Sequence, residues 1–207
     1  MRRKQWMLLA ASLLATAVLC ALAYACADVP AARYFFFRQH TFWHALGNWG
    51  SKLGESQWYL VPSALIALIC WHSRALLARR ALFVFVSVAG TGIAVNLLKV
   101  GFGRLRPKLF FEDNLYGFHP FGAAMRDLSF PSGHATTAFA LAVSLGYLFP
   151  RWRWLLYPLG AMIALSRVLV VRHWVSDVIA GAWLGAVGAI LCWKWLLEPA
   201  GDDHESS

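Results

Sequence analysis

Three polar clusters in this chain combine residue types and spacings that could do chemistry. One is Lys99 with Arg106. The second is Ser132-Gly133-His134. The third is the stretch 166–177, SRVLVVRHWVSD, which sets Arg167 six residues before His173 and His173 four before Asp177. Lysine supplies a point charge, and arginine adds a planar fork that grips phosphate oxygens in pairs. Backbone N–H groups at a helix start bind anions. Pro131, Ser132 and Gly133 read as such a start, with proline preset for a first turn, serine as cap and glycine allowing close approach. A histidine held at one ring nitrogen by an aspartate keeps the other nitrogen free to attack. On a helix, His173 and Asp177 would share one face. A second histidine, His134, can then protonate a leaving oxygen. Such a set suits phosphoryl transfer, which rests on positioning and charge stabilisation. No group of Asp and Glu accompanies it to hold Mg²⁺, so the expected mechanism uses no metal and no cofactor.

These residues need a scaffold, and composition points to a membrane. Of 207 residues, 59% are apolar and 14% charged, against about 45–50% and about 25% in soluble domains. The net charge is +9. A nucleic-acid partner would call for a solvated basic face. Here the basic residues sit in short clusters at the ends of apolar runs, which fits membrane topology and anionic headgroups. Membrane lipids are therefore the expected surroundings and nucleic acid is not an expected partner. Cys20, Cys26, Cys70 and Cys192 lie in or beside apolar runs without CxxC spacing, and read as small buried side chains.

Apolar runs cover residues 5–27, 58–71, 81–98, 134–149, 155–171 and 174–197. They predict an all-α bundle of six transmembrane helices, one domain over residues 1–197, followed by a disordered polar tail over 198–207. The first run could be a secretory signal, with Ala23-Tyr24-Ala25 as its cleavage site. Its length of about 20 residues fits a retained spanning helix better than a signal core of about 7–15. Residues 28–56 read as an interfacial segment anchored by Tyr34, Phe35, Phe36, Phe37, His40, Phe42, Trp43 and Trp49 and punctuated by Gly47, Gly50 and Gly54. Glu55 reads first as a solvated loop carboxylate, and residues 100–130 as a polar loop. Because consecutive spans alternate in direction, all three clusters emerge on one membrane face. Basic residues divide nine to ten between the faces, or nine to seven once Lys99, Arg106 and Arg167 are set aside as site residues. With MRRK at the start, this predicts both termini in the cytoplasm and the site outside.

Read together, KVGFGRLRP (99–107), PSGH (131–134) and SRVLVVRHWVSD (166–177) resemble the tripartite signature K-x6-R-P, P-S-G-H, S-R-x5-H-x3-D of the type 2 phosphatidic acid phosphatase superfamily. Every signature position is matched in order. The resemblance implies His173 as nucleophile forming a phosphohistidine, Asp177 as its orienting partner and His134 as general acid. It implies Lys99, Arg106, Arg167, the Ser132 hydroxyl and the Gly133 backbone N–H as phosphate holders. Soluble members include acid phosphatases and vanadium-dependent haloperoxidases, and six spans argue against both. The stretch 106–121, RPKLFFEDNLYGFHPF, is similar to the bacterial branch near lipid A 1-phosphatases. The implied protein is a lipid-phosphate phosphatase of a bacterial inner membrane with its site at the periplasmic surface. Undecaprenyl diphosphate, phosphatidylglycerol phosphate and phosphatidic acid remain alternative substrates. A lipid phosphotransferase using the same site is another reading, and a non-catalytic transporter or lipid-binding protein is a reading of a different class. Arg126 is either an extra headgroup contact or a solvated loop arginine. Arg172 has no assigned role, and oligomeric state is open.

Overall fold

A computed structural model describes residues 3–39 and 41–197. Met1 and Arg2 of the basic amino end, His40 and the tail 198–207 lie outside the described residues. Among the described residues the helices are α1 (Arg3–Cys26), α2 (Asp28–Phe36), α3 (Phe42–Leu53), α4 (Gln57–Cys70), α5 (Ala75–Phe102), α6 (Pro107–Asp113), α7 (Gly133–Leu148), α8 (Arg153–Leu169) and α9 (Val175–Leu196), with no strand. Four segments are long and apolar enough to cross a membrane: α1, the α3–α4 stretch Phe42–Cys70, α5 and α9. Helices α7 and α8, with 16 and 17 residues, stand at the short limit of about 17 for a span. Helix α1 buries only Ala23 and exposes Trp6, Met7, Leu8, Leu13 and Leu14. A surface of that kind is stable in lipid and not in water.

The bundle is centred on α7, which packs against α9, α8 and α5. Small residues make the α7–α9 approach close. A Cβ added at Gly185 would lie 2.2 Å from the Thr136 carbonyl oxygen, and one at Gly181 would lie 2.4 Å from that of Ser132. Between membrane helices, where lipid is as apolar as leucine, such small-residue contacts supply much of the association. The approach also lets the Ser132 N–H donate to the Asp177 carbonyl at 2.9 Å. The carboxyl ends of α5 and α8 and the amino ends of α7 and α9 consequently share one end of the bundle. At the other end, Arg79 donates to the Leu196 carbonyl at 2.8 Å.

Two regions are more structured than their composition suggests. The 28–56 segment forms α2 and α3, and α2 buries Asp28 and Ala32. The glycines of α3 are contact points: Cβ atoms at Gly47 and Gly50 would each come within 2.8 Å of α8 and the turn after it, at Val170 and Ser166. The 100–130 stretch is a folded cap. Gly103 ends α5 at φ 63°, a left-handed conformation that glycine adopts at no steric cost. Arg104 and Leu105 then make isolated antiparallel bridges to Phe118 and Leu128, and Phe111 of α6 stacks on Phe36 of α2 at 3.9 Å. The four cysteines are free, and none is buried: Cys26 is exposed and the others half-buried. None is the fully buried core side chain expected from the sequence, although Cys20 donates to the Ser176 carbonyl at 3.5 Å.

Alanine in place of Gly185 gains about 1 kcal/mol of helix propensity but thrusts a Cβ onto the Thr136 carbonyl. Backbone cannot yield as a side chain can, and overpacking costs about 1–3 kcal/mol. Gly185→Ala should therefore lower the unfolding temperature in detergent; an unchanged or raised value would contradict the close α7–α9 contact.

Candidate active site

Helix α9 begins where a side chain caps it. Asp177, its third residue, accepts the Trp174 N–H at 2.9 Å, so the helix starts at Val175 and His173 lies outside it. The expected helical pair is thus a correction: the histidine sits in the turn and the aspartate in the first helical turn. The turn itself is strained. Val171 is held at φ 53°, a conformation that costs a β-branched residue about 1–3 kcal/mol. It sends Arg172 outward to solvent and His173 inward, where the side chain is 3% exposed.

The His173 Nδ1 lies 3.3 Å from Asp177 Oδ2. A carboxylate only accepts, so Nδ1 carries the proton and Nε2 presents its lone pair. Burial, followed by the charges of Lys99, Arg106 and Arg167 and by His134, holds the His173 pKa well below 6.5. The ring is therefore neutral at pH 7. The same cations that hold His173 neutral would stabilise an anion brought before it.

Each expected cation is partly anchored and partly free. Lys99, near the carboxyl end of α5, donates to the Leu128 and Ser129 carbonyls at 3.3 and 3.1 Å. Arg106 donates through Nε to the Leu128 carbonyl at 3.1 Å. Burial, then the neighbouring Arg172 charge, lowers its pKa below the ordinary arginine value. Arg167 donates through one terminal nitrogen to Ser51 Oγ at 2.7 Å, while its buried Nε has no acceptor among the described residues. Arg104 Nε shares that state; a buried guanidinium donor without an acceptor is a place for a water or an anion oxygen. Ser132, fully buried, caps α7, its Oγ accepting the Ala135 N–H at 3.5 Å. Pro131 precedes this cap rather than opening the helix, and the 130–131 peptide bond is cis. Gly133 and His134 form the first turn of α7. Gly54 packs on the His134 ring, where an added Cβ would lie 2.6 Å from Cδ2.

The structure adds residues that sequence reasoning missed. Arg104 entered that reasoning only as a loop charge, yet it is 1% exposed. It donates to Asp177 Oδ1 and Asp28 Oδ2, each at 2.6 Å. Asp28 also accepts from the Ser176 N–H at 2.9 Å and hydroxyl at 2.6 Å. Burial alone would lower the Arg104 pKa, but Asp177 and Asp28 more than offset it and raise it. Tyr24, Trp174 and Phe118 ring the guanidinium at 5.0, 5.4 and 5.4 Å. Trp174, fully buried, donates to the Leu105 carbonyl at 2.7 Å. Ser51 and Gly54, which contact Arg167 and His134, were also missed. The only available signals were an isolated acid after an apolar run (Asp28) and a glycine series (47, 50, 54) at helical spacing. Lys108 and Arg126 carry only exposed ion pairs, to Glu112 and Asp127 at 3.6 Å each.

A helical membrane fold thus frames a buried His–Asp pair with three cations and a second histidine at one end of the bundle. The chain belongs to the PAP2 superfamily, which residues 80–199 match. It is similar to a lipid A 1-phosphatase from Rhizobium johnstonii, at 35% identity over 158 residues, 70% of this chain and 65% of that one. It is also similar to an undecaprenyl-diphosphatase from Sulfolobus acidocaldarius, at 32% identity over 66% of this chain and 62% of that one. The matched segment thus spans just under two thirds of these curated relatives. A crystal structure described as a transmembrane PAP2-type phosphatidylglycerolphosphate phosphatase from Bacillus subtilis has the same fold. Its TM-score is 0.68 at 20% identity, over 90% of this chain and 94% of that one.

Removing one member of a buried ion pair strands the other, at about 3–5 kcal/mol. Arg104→Gln should destabilise the protein by that amount in detergent unfolding, because two buried carboxylates lose their cation. Adding Asp28→Asn should recover at least half of the loss. A double variant no more stable than the single one would contradict the ion-pair account.

Proposed function

We propose that this chain is a membrane lipid-phosphate phosphatase working through a phosphohistidine. The observation that carries the reading is the neutral His173, held by Asp177 with its Nε2 free and surrounded by three cations. In the first step Nε2 attacks phosphorus, forming an N–P bond as the bond to the lipid oxygen breaks. His134, able to carry a proton once the phosphate dianion offsets the neighbouring cations, gives that oxygen its proton. In the second step water attacks phosphorus, the N–P bond breaks and His134 takes the water proton. Lys99, Arg106, Arg167, the Ser132 hydroxyl and the Gly133 N–H hold the non-bridging oxygens. Asp177 fixes the ring tautomer and steadies the imidazolium-like charge. No metal enters these steps.

The proposed membrane arrangement has six spans, α1, α4, α5, α7, α8 and α9, forming one domain over residues 1–197. Both termini lie in the cytoplasm of a bacterial inner membrane and the site faces the periplasm. The basic amino end supports this orientation. A groove of about 470 Å³ opens between α4 and α5 and ends at His134, which supports entry of the substrate from the lipid. The substrate is a phosphorylated lipid headgroup, with a lipid A 1-phosphate-like monoester favoured by the similarity to lipid A 1-phosphatases.

Phosphate release from lipid phosphates in detergent tests the reading. His173→Ala should lower turnover by at least about a thousandfold, and EDTA should leave the native rate unchanged. Turnover surviving in His173→Ala would reject the nucleophile, and loss in EDTA would reject the metal-free route. Protonation removes the nucleophile, so the His173 limb of kcat/KM lies below pH 6.5. Arg106→Gln deletes a repelling cation, so His173 protonates more readily and the limb moves to higher pH. A limb that stays in place or moves down would contradict the electrostatic account.

A further inference from the structure

An in-line displacement sends the leaving oxygen away on the side of phosphorus opposite the attacking nitrogen. With His173 attacking and His134 serving the leaving oxygen, the surroundings of His134 select the leaving group. Those surroundings are the groove between α4 and α5. Leu60, Val88 and Ile93 give it apolar walls suited to a lipid chain. The same lining also carries polar side chains, Glu55, Gln57 and Asn96. Glu55 is the one acidic or basic side chain of this lining apart from His134 itself. Its carboxylate accepts from Gln57 at 2.8 Å and is near enough to Arg167 to attract it. Gly54, its neighbour, lies against the His134 ring, so the backbone that carries Glu55 is seated on the general acid. The outer cations are elsewhere: Arg106, Lys108, Arg126 and Arg172 line a separate cavity of about 510 Å³ that His134 does not reach.

We propose, resting on the phosphatase reading above, that Glu55, Gln57 and Asn96 form a leaving-group subsite that takes a neutral, hydrogen-bonding headgroup and rejects a second phosphate. The favoured substrate class is a lipid phosphomonoester, not a lipid diphosphate. A hydroxyl on the leaving group can donate to the Glu55 carboxylate, and the Gln57 and Asn96 amides can donate or accept. A diphosphate would instead set the inner phosphate, still charged, beside the Glu55 carboxylate in a groove whose lining has no basic side chain; Arg167, the cation within reach of Glu55, is committed to the transferred phosphate in the proposed reaction. Specificity would then arise from repulsion of the wrong substrate as much as from attraction of the right one.

Farnesyl phosphate and farnesyl diphosphate share one chain and differ only by the second phosphate, so initial rates of phosphate release from the two test the idea. The native protein should show the higher kcat/KM on the monophosphate. Glu55→Gln should raise the diphosphate-to-monophosphate ratio of kcat/KM about tenfold, the scale expected for removing one nearby like charge. Glu55→Lys, which puts a cation there, should raise it further. A native preference for the diphosphate would overturn the proposal. So would an unchanged ratio with both rates falling together, the result if Glu55 only steadies Arg167. No phosphate release from either substrate by the native protein would overturn the phosphatase reading and the subsite with it.

Discussion

The site depends on one buried charge arrangement: Asp28, Arg104 and Asp177, two carboxylates joined by one guanidinium with contacts of 2.6 Å on both sides. All three are at most 1% exposed. Buried charges are tolerated only when they are paired and their remaining hydrogen bonds are filled. Here Ser176 and the Trp174 N–H fill most of them. The network therefore clamps the α1–α2 junction, the stretch after α5 and the start of α9 into a single geometry. One product of that geometry is the placement of Asp177 Oδ2 against His173. The other carboxylate oxygen is already committed to Arg104, so the carboxylate has little freedom to rotate.

Arginines in this molecule have two fates, and the difference separates structure from chemistry. Arg104 has both terminal nitrogens bound to carboxylates inside an aromatic ring of neighbours. Among the described residues Arg106 and Arg167 make no direct ion pair, although Glu55 is near enough to attract Arg167; they are tethered by one carbonyl and one hydroxyl. Binding capacity is left over where the fold has placed charge without neutralising it. Burial and, after it, that unneutralised potential keep His173 deprotonated, and the same potential would draw in a phosphate, so one electrostatic feature would serve both the proposed nucleophile and its target.

Small residues make these placements possible. Glycines on α9 let α7 come close enough for Ser132 and Asp177 to share a backbone hydrogen bond. Glycines on α3 bring Ser51 and Gly54 onto Arg167 and His134. In lipid, where apolar side chains gain little by meeting one another, close backbone approach does much of the work of packing. The same contacts that hold the bundle together thus align two of its functional groups.

How much of this was legible beforehand follows from sequence distance. The pieces with local spacing, Arg167 to Asp177, Ser132 to His134 and Lys99 to Arg106, could be read directly, because short spacings on helix ends constrain geometry and the chemistry of each side chain is intrinsic. Apolar runs likewise announced the helices, since lipid demands long apolar segments. The sequence by itself therefore determined the helical membrane scaffold, the gathering of the clusters at one end and the residue types on which the proposed reaction rests. It did not reveal Arg104 with Asp28, 76 residues apart, or Arg167 with Ser51, 116 residues apart. An isolated loop charge looks solvated until a partner from a distant segment buries it. The apolar run from 174 already left His173 ahead of its helix, but it did not reveal that this boundary is drawn by Asp177 folding back as a cap. Which charges are neutralised, which remain free, and what lines the approach to His134 were decided only by the tertiary structure, since pairing and burial are properties of segments brought together in space.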